Sequence, residues 1–161
     1  MNSAATRGMQ ESILAMLLQG QQAEFCFPEG LLGFPSYRRF VLSRYQPPDG
    51  SESPFLLLQT KETEADAGDS HISVSFPLIS PYWLVPDYHV APPPEVLAKL
   101  DVGAAAECVI LVIVTLRERL EEITVNLQGP LLFNPLARLG CQLVVEEYPV
   151  RYPLLGSEKR T

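Results

Sequence analysis

Residues 107–134 read ECVILVIVTLRERLEEITVNLQGPLLFN, and the division of that stretch decides the fold. Residues 109–116 are apolar and mostly β-branched, interrupted only by Thr115. Branched Cβ atoms are stiff at χ1 and fit a pleated surface. A run this short and this branched predicts a central strand buried on both faces rather than a helix. The charges of residues 117–122 predict a solvent-exposed turn. Residues 123–127 then resume extended structure, with Ile123, Val125 and Leu127 on one face and Thr124 and Asn126 on the other. Gly129-Pro130 ends or bends that strand, because Pro130 has no N–H to give a ladder. The product is an antiparallel pair with a polar connection, on which other strands pack.

Composition narrows the class. A chain of 161 residues is expected to form one domain, burying roughly two-thirds of its unfolded surface. Its 47% hydrophobic and 19% charged residues are ordinary for a soluble globular protein. Fifteen prolines argue for short strands with rigid corners and against long helices. The net charge of −7 disfavours direct binding to nucleic acid or to an anionic membrane and suits a basic partner. No stretch approaches the roughly 20 apolar residues of a membrane span. Residues 13–18 are apolar, but no basic region precedes them and no small-residue cleavage site follows, so no signal peptide is expected. Cys26, Cys108 and Cys141 are widely spaced and read as reduced thiols of a cytoplasmic protein.

Along the chain, residues 1–21 form an N-terminal extension, disordered or a short helix. Residues 1–8 are polar, and Met9, Ile13, Met16 and Leu17 recur at helical spacing up to Gly20. Such a helix either lies on the core or is offered to a partner. The domain proper spans residues 22–155. Alternation predicts strands at 23–27, 39–44, 54–60 and 72–76, the last ending at Pro77. The corner GLLGFP at 30–35 is expected to anchor Leu31, Leu32 and Phe34 in the core. Residues 61–70 set one lysine against Glu62, Glu64, Asp66 and Asp69 and read as a solvated loop. They lack the spacing and closing glutamate of a calcium loop. A short helix follows the prolines at 92–94. Extended pieces at 130–134 and 141–147, joined around Gly140, and a polar tail at 156–161 complete the chain. The expectation is a mainly β fold: a compact, β-barrel-like single domain of short antiparallel strands with one or two short helices.

The residues suggest no chemistry. His71 and His89 lack a cysteine or aspartate in register, and no His-x-x-x-His or Cys-x-x-Cys occurs. No serine sits in a nucleophile elbow. Cys108 and Cys141 lie in strand patterns and read as core. Thus no catalytic residue, metal site or cofactor is expected, and the reading from residues alone is an acidic binding module. The concentration of Tyr82, Trp83, Pro86, Asp87 and Tyr88 suits either the sealed end of a barrel or an interface.

A set of motifs goes further. Residues 25–34 (FCFPEGLLGF) and 40–42 (FVL) are similar to the opening signature of the FliW family of flagellar assembly factors. So are residues 54–59 (PFLLLQ), 86–88 (PDY), 124–130 (TVNLQGP) with Asn134, 140–145 (GCQLVV) and 148–151 (YPVR). Order and spacing agree over about residues 22–155. The chain departs from the pattern in its first 20 residues, in the insert at 61–70, and at Gly129 and Cys141, where the family often has Ala and Lys. The resemblance implies regulatory binding rather than catalysis. FliW-type proteins bind CsrA, a small RNA-binding translational repressor, and also bind flagellin, each excluding the other. A cytoplasmic monomer without a cofactor is implied. On that reading Asp87, Glu146 and Glu147 supply charge toward a basic repressor, and Tyr82, Trp83 and Tyr88 are candidate aromatic anchors. Asn126 and Asn134 are expected to satisfy backbone groups instead. The rival reading is a small-molecule-binding barrel or an enzyme, which needs a sizeable pocket with convergent polar groups.

Overall fold

Nine strands and two α-helices make up residues 3–61 and 73–155, the part of the chain that the computed structural model describes. Residues 1–2, most of the polar loop expected at 61–70, His71, Ile72 and the tail from 156 lie outside the described residues. The elements are α1 (Ser3–Leu17), β1 (Gln22–Cys26), β2 (Arg39–Arg44), β3 (Leu56–Thr60), β4 (Ser75–Ile79), α2 (Pro94–Leu100), β5 (Val109–Thr115), β6 (Thr124–Val125), β7 (Leu131–Asn134), β8 (Leu139–Gln142) and β9 (Tyr152–Pro153). Seven strands close a barrel in the order β4-β3-β2-β1-β8-β7-β5, with β5 returning to β4. Closure satisfies edges that would otherwise invite other chains. β6 and β9 extend alongside β5 outside the ring. One contact departs from the antiparallel expectation: β1 and β8 run parallel and pair only at Cys26↔Leu139.

β5 is the wall between two cores. Val109 and Leu111 point into the barrel beside Phe25, Phe27, Phe40, Leu42, Leu58 and Phe133. Ile110, Val112 and Val114 point outward to a second core with Tyr82, Tyr88, Leu100, Val125 and Leu127. Successive side chains of a strand face opposite ways, so only a strand with both faces covered is apolar throughout. The barrel interior is filled by aromatic rings meeting edge to face. Phe27 lies 5.3 Å from Phe40 and 5.4 Å from Phe133, and Phe25 lies 5.0 Å from Phe133. Gly140 of β8 makes this possible, because a Cβ there would stand 2.4 Å from the Phe27 ring.

α1 covers one end of the barrel. It begins at Ser3, so residues 3–8 are helical rather than disordered. Its inward side is Gln10, Leu14 and Leu18 with Ile13 and Leu17 beside them, whereas Met9 and Met16 face solvent. The expected stripe was therefore rotated, because it treated Gln10 as a surface residue. Gln10 is buried and clasps β5: its Nε2 donates to the Cys108 carbonyl at 2.8 Å, and its Oε1 accepts from the Ile110 amide at 2.8 Å. Residues 108, 110 and 112 present their backbone to the edge on which β4 pairs, and β4 stops at Ile79↔Val112. One side chain thus takes the place of the missing strand.

Three further expectations are corrected. β4 runs through Pro77 to Ile79, with Pro77 opposite Leu57. The β4–β5 ladder begins only at Leu78↔Ile113, so the absent N–H removes no bond from it. In the corner, Leu31 is buried, but Leu32 is 60% exposed and Phe34 38% exposed. A Leu31↔Phe34 bridge holds that corner, and Gly30 sits at φ +69 against the Phe34 and Pro35 backbone. The strand expected at 123–127 is reduced to β6, because Leu127 bonds to Pro149 rather than continuing a ladder.

Gly140→Ala is expected to destabilise the fold by about 1–3 kcal/mol through overpacking against Phe27. Gln10→Ala should cost more than about 1 kcal/mol by stranding two backbone groups of β5. Urea denaturation of each variant measures both.

Candidate partner-binding face

The six residues singled out in the sequence do not form one patch. Tyr82 and Tyr88 are buried in the second core, with ring centroids 6.2 Å apart, and cannot serve as docking anchors. The Tyr88 hydroxyl donates to the Leu127 carbonyl at 2.6 Å. The physical reason is that the outer face of β5 needs a cover, and these rings supply it. Trp83 is 47% exposed but lies on another side. It lines a cleft of about 940 Å³ with Glu11, Arg44, Tyr45, Glu52 and Pro54, and the Arg7 guanidinium stands 4.5 Å over its ring.

Asp87, Glu146 and Glu147 are exposed, and their segments are tied together. Tyr148 stacks on Tyr88 at 4.4 Å, and the Tyr148 hydroxyl accepts from the His89 amide at 2.9 Å. These contacts hold the loop bearing Asp87 against the segment bearing Glu146 and Glu147. Beside them runs a shallow groove of about 400 Å³ lined by Val90, Ala91, Pro93, Leu143, Val144, Val145, Glu146 and Glu147. Its walls are apolar and its charge is entirely acidic, as suits a basic partner that also brings apolar side chains.

The asparagines act as expected. Asn134 Nδ2 donates to the Leu100 carbonyl at 2.7 Å, and its Oδ1 accepts from the amides of Leu136 and Ala137. Asn126 Oδ1 accepts from the amides of Gln128 and Gly129. Gln142 joins them: it accepts from the Leu32 amide at 2.8 Å and donates to the Gly129 carbonyl at 2.9 Å. Gln142 was not singled out in the sequence. The signal was a long polar side chain beside a glycine at the start of the neighbouring strand, which only the pairing brings together. A Cβ on Gly129 would stand 2.8 Å from the Gln142 amide nitrogen.

No group of three or more His, Cys, Asp and Glu side chains among the described residues is placed to hold a metal ion. No helix among them is long and apolar enough to cross a membrane. Burial pushes the Cys108 thiol up to about 12 and the Cys141 thiol up to about 11, so both stay protonated at neutral pH. Burial, reinforced by Tyr148, also raises Tyr88. A folded-state pKa above the unfolded one adds stability below the unfolded value, and that stability is lost as pH rises. Stability is therefore expected to be insensitive to these groups near neutrality and to fall above about pH 9, where unfolded thiols and then phenols ionise. Tyr88→Phe should remove part of the fall above about pH 10, read from denaturant midpoints across that range.

The chain matches the family described as "FliW protein" over residues 10–154. It is 34% identical over 136 residues to the flagellar assembly factor FliW of Natranaerobius thermophilus, covering 82% of each chain. It is 32% identical over 130 residues to that of Caldicellulosiruptor bescii, covering 80% of this chain and 77% of the relative. A crystal structure of the flagellar assembly factor FliW superposes with a TM-score of 0.67 at 26% identity, over 88% of this chain and 89% of that one. These relatives are named as assembly factors rather than enzymes. A filled, closed barrel with an acidic exterior, matched along nearly its whole length, belongs to the FliW family of flagellar assembly factors.

Proposed function

We propose that this protein is a cytoplasmic regulator that holds two proteins in turn: a basic RNA-binding repressor of the CsrA type, and flagellin. Family membership over residues 10–154 is the observation that carries the reading. The net charge of −7 and the exposed Asp87, Glu146 and Glu147 support the repressor half, since an RNA-binding surface is basic. Mutual exclusion makes each partner weaken the hold of the other. While flagellin accumulates it occupies this protein, and the free repressor silences flagellin translation. Export of flagellin releases the protein, which then captures the repressor. Mass action drives the exchange without a nucleotide or metal. The packed barrel interior supports this reading over a ligand-binding barrel, because Phe27, Phe40 and Phe133 fill the space a ligand would need.

The test is competition between purified components. The protein should bind repressor and flagellin separately, and adding either should displace the other. Asp87→Lys or Glu146→Lys should weaken repressor binding by about tenfold and leave the melting temperature unchanged. Simultaneous binding of both proteins, or binding of neither, overturns the proposal.

A further inference from the structure

We propose that the outer edge of residues 142–145 is a strand-addition site for an extended, basic peptide segment of another protein. Beyond β8 the chain keeps the alignment of an antiparallel strand. The Leu143 amide donates to the Pro130 carbonyl at 2.9 Å, and the Val145 amide donates to the Gln128 carbonyl at 2.7 Å. Alternate residues of such a segment face opposite edges, so Val144 turns its N–H and C=O groups away from the barrel. The segment ends where the Tyr148 amide donates to the Val145 carbonyl at 3.1 Å and turns the chain at Glu146 and Glu147. β1 covers that outer edge only at Leu139, where the Cys26 amide donates to the Arg138 carbonyl at 2.9 Å. β1 then departs through Pro28 into the corner at Gly30. Among the described residues, the backbone groups of Val144 have no hydrogen-bond partner.

The surroundings select the occupant. Val144 is 56% exposed and Leu32 60% exposed, and Gln142 ties the Leu32 amide to the same edge. An added strand thus finds main-chain partners with apolar side chains flanking them. Glu146 and Glu147 border the edge, and no lysine or arginine lines the adjoining groove. Lys99, on α2 nearby, is already paired with Glu29 at 2.8 Å. A second copy of this chain brings the same negative charge, which disfavours pairing of like edges. A strand carrying lysines satisfies both the open backbone and the acids. Four residues span about 13 Å, enough to fix the register of a short peptide.

The probe is a synthetic capped peptide alternating lysine with valine or threonine, added to the 15N-labelled full chain. Saturating peptide is expected to slow hydrogen exchange at the Val144 amide by at least about tenfold. The same peptide N-methylated at alternate amides, and a version with glutamate for lysine, should not protect it. Val144→Pro removes the outward N–H while sparing the bonds of Leu143 and Val145, and should lower affinity by at least about tenfold. If Val144→Pro fails to fold by circular dichroism, the double variant Glu146→Lys, Glu147→Lys carries the test. It should lose the lysine peptide and accept the glutamate one. Unchanged exchange at the Val144 amide, or equal binding of the N-methylated peptide, overturns the proposal. The inference does not depend on the flagellin and repressor reading: whole partners can still bind if the peptide does not.

Discussion

Burial of β5 on both faces is the constraint from which the remaining architecture follows. A strand of six mostly branched apolar residues, closed by an exposed threonine, cannot leave either face in water. The inner face is met by the phenylalanines of β1, β2 and β7, which forces the sheet to curl around them. The outer face is met by Tyr82, Tyr88, Leu100, Val125 and Leu127, which draws the proline-rich loop, α2 and β6 onto the same wall. Two cores on one strand explain how a chain with short elements holds together without a long helix through its middle.

Closing such a barrel with short strands leaves gaps in the ladder, and side chains fill several of them. Gln10 continues the β4 edge of β5, Asn134 organises the turn between β7 and β8, and Asn126 with Gln142 holds the Gly129 bend. A buried backbone group without a partner costs about 1–3 kcal/mol, so these amides stabilise the fold. The polar motif residues at 126 and 134 are therefore structural, and the partner face proposed above does not include them. Among the described residues the exterior offers the acidic groove beside Glu146 and Glu147, the cleft under Trp83, and a third cleft between α1 and residues 134–138.

Much of this was readable from residue order. The strand spacing, the exposed turn at 117–122, the short helix after the prolines and the capping asparagines all follow from local preferences that tertiary packing did not override. The reading failed where a residue's surroundings come from far along the chain. Tyr82 and Tyr88 sit among prolines and an aspartate, a composition shared by interfaces and barrel ends. Only the need to cover β5 decides that they are core. Leu32 looks like an anchor by hydropathy, yet the tight bridge between Leu31 and Phe34 turns it outward. Gln10 looks like a surface residue until the end of β4 leaves an edge for it to fill.

By itself the sequence determined the class of fold, the central strand and the family, because side-chain period, β-branching and glycine–proline corners act over a few residues at a time. The tertiary structure alone decided which strands close the ring, that β1 meets β8 in parallel at a single pair, and which aromatic rings are spent on packing. Those outcomes depend on residues tens of positions apart competing for the same space and the same hydrogen bonds, and no local pattern records who wins.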